Sequence, residues 1–236
     1  LQPVTAAEIR VLAAGATKAI VQQLGEAFRA KTGHTLALTS DTAGGIAKRV
    51  EAGETAEVVT ATQNVIDAII AKDKLAKGSR ADLAVSRIGV AVKEGAPKPD
   101  ISTLDALKAT LTNAKTVAYV DPASGGTSGI YLAGVFDKLG MTEMLKPKLR
   151  LQAGGYVAEK VARGEAEIVL HQVSEILPVK GVTIIGTLPA EIALVTTYSG
   201  GLSGNASEPA RQFLAFIAGP EGDDVITKAG LSRPKR

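Results

Sequence analysis

Short aliphatic runs alternate with helix-period patterns along almost the whole of this 236-residue chain, and that alternation leaves few folds open. Residues 9–14 read as a strand and 17–32 as a helix; 35–39 read as a strand and 46–52 as a helix. Residues 58–60 then read as a short strand and 65–71 as a helix. Strand followed by helix, several times over, predicts α/β architecture with a doubly wound parallel sheet. Aromatic residues make up only 3% of the chain and Trp is absent, so the core must be aliphatic. Val, Ile, Leu and Ala suit strands buried on both faces under helices.

The pattern changes at residues 83–92, a long β-rich run (LAVSRIGVAV) able to cross from one lobe into another. A second series follows, with strands at 116–120, 149–152 and 168–170 and helices at 129–139 and 157–163. Residues 182–185 and 192–197 resemble strands that lead back, and 209–218 is a helix opened by Pro209. Proline is tolerated there because the first helical N–H has no intrahelical partner.

Charge excludes one class of function. The 27 basic and 24 acidic residues give a formal charge of +3, but they are intermixed along the chain. Only residues 233–236 form a basic cluster, which reads as a solvated tail. A nucleic-acid binder needs a basic stripe, usually with aromatic stacking partners, so no nucleic-acid partner is expected. The absence of Cys excludes disulfides, thiolate catalysis and sulfur-ligated zinc. No apolar run reaches the length of a membrane-spanning helix. The chain opens on Leu1, Gln2, Pro3 and Val4, which fits both a terminus left by signal-peptide removal and a trimmed start.

Chemistry concentrates at four junctions rich in Gly, Ser and Thr, each expected to follow a strand and open a helix. They are Ala14-Gly15-Ala16-Thr17, Asp41-Thr42-Ala43-Gly44-Gly45, the segment 121–129 with Thr127 and Ser128, and Ala153-Gly154-Gly155-Tyr156. Small residues leave backbone N–H groups uncovered at the positive end of the helix dipole. In open α/β sheets, ligands sit beyond the carboxyl ends of the strands. Two junctions from each lobe, facing one another, would surround a small anion, with hydroxyls from Thr17, Thr42, Thr127 and Ser128. Each junction taken alone also fits an ordinary turn or helix cap. None matches a nucleotide phosphate loop, and no cofactor is expected.

Two histidines occur. His34 lies in a turn before a strand and is expected to be exposed and inert. His171 falls at the end of the run 168–170, where a ligand donor, a proton carrier and a plain hydrogen-bonded residue are all open readings. Two distant histidines without Cys make no metal site. Asp121, before Pro122, is expected to shape its loop, and no carboxylate pair stands out.

The stretches VLAAGATKAI, IAKRVEAGETAEVV, YVDPASGGTSGIYLAGVFDKLG and VARGEAEIVLHQVSEILPVKGV resemble the periplasmic molybdate-binding proteins and their solute-binding relatives of ABC transporters. The resemblance covers nearly the whole chain. It implies a type II periplasmic binding protein fold, two α/β lobes joined by two crossovers, with ligand in the cleft between them. The lobes would be residues 1–85 plus 190–236, and 86–189. It further implies a periplasmic monomer, freed of its signal peptide, that serves an ABC-transporter membrane component. Where molybdate binders of the family place Ser, Ser and Tyr, this chain has Gly15, Ala43 and Gln172. Each missing donor to a charged oxyanion removes about 1.5–3 kcal/mol. The expected ligand is therefore a di- or tricarboxylate rather than molybdate, held by Gly15, Ala16, Thr17, Thr42, Ala43, Gly44, Thr127, Ser128, Gly155, Tyr156, His171 and Gln172. The wider family also contains periplasmic aconitate isomerase. On that alternative His171 moves an allylic proton, with Thr127, Ser128 or Tyr156 assisting.

Overall fold

The computed structural model describes residues 6–235 and divides the chain into two compact units. The first unit runs to Val85 and resumes at Thr196; the second is Ser86–Val195. The first residues, read above as a possible processed terminus, and Arg236 of the basic cluster lie outside the described residues.

In chain order the first unit begins with β1 (Glu8–Ala14), α1 (Gly15–Thr32), β2 (Thr35–Asp41), α2 (Ala43–Glu51), β3 (Val58–Thr62) and α3 (Gln63–Ala71). Strand β4 (Ala81–Lys93) carries the chain into the second unit. There follow α4 (Leu104–Asn113), β5 (Val117–Ala118), α5 (Thr127–Lys138), α6 (Thr142–Leu145), α7 (Glu159–Ala162), β6 (Ile168–Gln172), α8 (Val173–Ile176) and β7 (Val182–Thr187). Strand β8 (Val195–Leu202) returns the chain to the first unit, which ends with α9 (Glu208–Ala218) and α10 (Asp223–Lys228).

The first unit orders its strands β2-β1-β3-β8. Strand β1 is parallel to β2 and β3, whereas β8 runs antiparallel to β3. Side chains alternate along β1 as the pleat requires. Ile9, Val11 and Ala13 join the core with Phe28 of α1 and Phe213 of α9, while Leu12 and Ala14 pack with Ile46 of α2 and Ile66 of α3. Helices thus cover both faces.

The second unit orders its strands β7-β4-β6-β5, with β4 antiparallel to β6 and β7, and β5 parallel to β6. Its strands again send alternate residues to two cores. Ile168 and Leu170 meet Leu132 and Phe136 of α5, and Val169 meets Val161 of α7 and Ile176 of α8. The doubly wound parallel sheet expected from the element order is present in part, as β2-β1-β3 and β6-β5, and each unit adds antiparallel strands to it. A strand that carries the chain out of a unit, or back into it, enters the sheet without the crossover helix that parallel pairing needs.

Several local expectations are also corrected. Residues 149–152 make only isolated bridges, Val117 to Leu149 and Val120 to Gln152, and the helix expected at 157–163 shrinks to α7. Helix α4 was not legible as such, although Thr103 caps it by accepting from the Ala106 N–H at 3.1 Å. His34 is buried, and its Nδ1 accepts from the Ala7 N–H at 3.0 Å. Arg233 is no solvated tail. Its guanidinium donates to the carbonyls of Leu83 at 2.8 Å, Ile217 at 3.1 Å and Gly219, and its Nε to Asp223 at 2.7 Å.

That guanidinium satisfies carbonyls at the end of α9 that the helix cannot pair for itself. Arg233→Ala is expected to lower stability by about 2 kcal/mol. A urea-denaturation midpoint equal to that of the parent protein would contradict this account of the C-terminal segment.

Candidate functional site

Helix starts supply the first ingredient. Helix α1 begins immediately at the end of β1, with Ala14 as N-cap and no side-chain cap. Gly15 is half-buried and Ala16 and Thr17 are buried. The Thr17 hydroxyl, expected to face an anion, lies 2.9 Å from the Ala14 carbonyl and 2.7 Å from the Thr60 hydroxyl. It is engaged inside its unit, pinning helix to strand, and so drops out of the set of hydroxyl donors.

Helix α2 is capped by Thr42, whose hydroxyl accepts from the Gly45 N–H at 2.9 Å. That cap satisfies the third helical N–H; those of Ala43 and Gly44 have no carbonyl within the helix to reach. A Cβ at position 45 would lie 2.3 Å from the Asp41 carboxylate, so a side chain there would have to displace Asp41 from its contact with Arg49. That carboxylate is neutralised by Arg49 at 2.8 Å, so it does not cancel the positive end of α2.

In the second unit, Asp121 shapes its turn as expected, accepting from the Ala123 N–H at 2.9 Å. Helix α5 then starts behind Gly126 with no side-chain cap, Thr127 and Ser128 being its first two residues. Ser128 and Gly129 are buried, and a Cβ at 129 would sit 2.0 Å from the Val120 carbonyl oxygen. Only glycine lets α5 start this close to the preceding strand. The fourth junction is not a helix start. Gly155 takes a left-handed conformation (φ 74°), and α7 begins only at Glu159. Tyr156 is half-buried, and its phenol is pushed up by burial first and then by Glu175 and Glu159.

The polar carboxyl end of β6 is the second ingredient. All five of its residues are buried. His171 is 2% exposed and, like Val169, projects to the face covered by α7 and α8. Its Nδ1 lies 3.3 Å from Oε2 of Glu175, four residues on in α8. Burial pushes His171 down to about 4 and Glu175 up to about 8. Losing water penalises the charged form of each, so near neutrality the imidazole is neutral and the proton rests on the carboxyl. Glu175 is the residue that sequence reasoning missed. The one signal for it was a Glu four positions after a strand-end His, and that spacing becomes a contact only because a helix begins at residue 173. Gln172, on the opposite face, is 1% exposed, and its Nε2 and Oε1 both lack hydrogen-bond partners.

The structure therefore brings His171 and Glu175 into contact, with Tyr156 in electrostatic reach of Glu175, all within the second unit. Thr127 and Ser128 belong to the same unit, on a helix packed against β6. Gly15, Ala16, Thr17, Thr42, Ala43 and Gly44 belong to the first unit.

A family model described as bacterial extracellular solute-binding protein matches residues 9–232. A relative named aconitate isomerase, from Pseudomonas sp, is 35% identical over 238 residues, which cover 98% of this chain and 88% of that protein. The molybdate-binding protein ModA of Mycobacterium bovis is 25% identical and covers 97% of this chain and 86% of its own. Among solved structures, the Azotobacter vinelandii periplasmic molybdate-binding protein superposes with a TM-score of 0.81 at 19% identity, over 96% of this chain and 100% of that one. The two-lobed α/β binding-protein fold expected from the sequence is thereby shown.

The buried pair has a pH signature. Unfolded, Glu175 and His171 titrate near their ordinary values of 4.5 and 6.5; folded, near 8 and 4. Between 4.5 and 6.5 both states hold one proton on the pair, so its contribution is flat. Between 6.5 and 8 the folded state holds one proton more, and stability falls as pH rises. In Glu175→Gln only the histidine remains, so stability climbs from pH 4 to 6.5 and then levels. Parallel urea curves for the two proteins between pH 6.5 and 8 would refute the assignment.

Proposed function

The chain belongs to the family of bacterial extracellular solute-binding proteins, and from that premise we propose that it is a periplasmic isomerase of the aconitate isomerase type. It would move an allylic proton on an unsaturated tricarboxylate. The observation that carries this reading is the His171–Glu175 pair, a neutral imidazole against a carboxyl whose proton is held by burial. Perturbed acid–base partners of this kind are what proton-transfer chemistry requires. The 35% identity to a protein named aconitate isomerase supports the same reading.

The chemistry needs one proton and no net change of charge on the imidazole. Nδ1 lies 3.3 Å from Glu175 without yet bonding to it, so the step requires the pair to close into a hydrogen bond, with Nε2 left for the substrate. In the reactive form Glu175 is a carboxylate, Nδ1 carries hydrogen and Nε2 is a base. Nε2 takes a proton from the methylene carbon of trans-aconitate as Nδ1–H passes to Glu175. The C–H electron pair enters the conjugated system, leaving a delocalised dienolate. Nε2–H then returns the proton to the far carbon of the allyl unit, the double bond shifts, and Glu175 gives its proton back. The product is an isomer, and cis or trans geometry follows from the conformation held during the transfer. An imidazolium, costly in a dry site, is never formed. The protonated Tyr156 phenol and the uncapped start of α5 are the donors that would hold substrate carboxylates in this unit.

A second reading is that the protein only binds a small organic anion and delivers it to an ABC-transporter membrane component. It is favoured by the donor-rich starts of α1 and α2, which make no use of His171. Gly15, Ala43 and Gln172, standing where the resemblance places molybdate donors, favour a polycarboxylate on either reading.

Chromatography of trans-aconitate incubated with the protein separates the two. The isomerase reading expects cis-aconitate, a kcat lowered about 10²–10⁴-fold by His171→Ala, and a rate that rises with pH toward 8 as Glu175 loses its proton. Glu175→Gln should abolish that rise. Thermal stabilisation by polycarboxylates without any turnover would sustain the binding reading instead.

A further inference from the structure

Gln172 is the last residue of β6 and the N-cap of α8, yet its side chain does not cap that helix. It is 1% exposed, and neither its amide nitrogen nor its amide oxygen has a partner. Either orientation of the amide leaves a buried donor and a buried acceptor side by side. Buried polar groups are almost always paired, so a side chain left in this state is waiting for something. Gln172 projects with Ile168 and Leu170 to the face covered by α5, the helix whose first turn lacks a side-chain cap.

An anion that offers only acceptors, such as molybdate or sulfate, would satisfy the N–H and leave the carbonyl oxygen facing another oxygen. A carboxylate does the same. A carboxylic acid group satisfies both at once, its C=O accepting from Nε2 and its O–H donating to Oε1 in a closed pair. We propose that Gln172 is a specificity-determining residue that holds one carboxyl group of the ligand in its protonated form. This inference rests on the reading above that the carboxyl end of β6 is the ligand site. It also deepens it: a proton is removed more readily beside a neutral carboxyl than beside a carboxylate, because the electrons left behind are not added to an existing negative charge.

A primary amide on the ligand presents the same acceptor and donor at every pH, whereas a methyl ester presents only the acceptor. The test measures, by calorimetry at pH 7.5, binding of the terminal monoamide and the terminal monomethyl ester of tricarballylate to the parent protein and to Gln172→Met. The parent is expected to bind the amide at least about tenfold more tightly than the ester. The variant should bind the two within about twofold of each other. Its melting temperature should equal or exceed the parent's, since an unpaired buried amide has been replaced by an apolar side chain of similar size. Equal affinity of the parent for amide and ester, binding of neither, or a preference that survives in Gln172→Met would each overturn the proposal. A parent that prefers the amide but does not turn over trans-aconitate would sink the isomerase reading and leave this one standing.

Discussion

Burying the polar carboxyl end of a strand on both faces is the constraint from which the proposed chemistry of this protein follows. Strand β6 lies between β4 and β5, and all five of its residues are buried. Ile168, Val169 and Leu170 are at home there. His171 and Gln172 are not, and each must find partners without solvent. His171 Nδ1 comes within 3.3 Å of Glu175 but makes no hydrogen bond, and neither polar atom of the Gln172 amide has a partner. A strand end that is dry, polar and incompletely paired is an expensive thing to build into a core, because each unpaired buried group costs about 1–3 kcal/mol. Sites of this kind are where function sits at the expense of stability.

Burial also sets the protonation state of Glu175. Desolvation raises it to about 8, so the group is present as an acid while its partner imidazole is neutral. Within each unit, glycines serve close approach. Gly129 lets α5 begin against the Val120 carbonyl, and Gly45 lets Asp41 and its Arg49 counter-ion fold under the start of α2.

Much of the fold was legible because hydrophobic period survives in this aliphatic sequence. The expectations at 9–14, 17–32, 35–39 and 209–218 correspond to β1, α1, β2 and α9. What failed was local and had physical causes. Residues 149–152 carry strand-like side chains but make only single bridges. Thr17 looked like an exposed donor because its position in a helix start was readable while its neighbour Thr60, 43 residues away, was not. His34 and Arg233 looked like surface residues because turn and tail composition says nothing of Ala7, or of the Leu83, Ile217 and Gly219 carbonyls that claim them.

The sequence by itself determined the class of element at most positions, the aliphatic core, the small-residue helix starts and the kinship with solute-binding proteins. Those properties are local or statistical, and a chain carries them whether folded or not. Only the tertiary structure decided which polar groups are bonded into the scaffold and which are buried without a partner. Thr17 is bonded, Gln172 is unpaired, and Glu175 lies buried beside His171 rather than standing as one more surface acid. Hydration, and therefore protonation, depends on what lies around a side chain, and no residue carries that information in its own name.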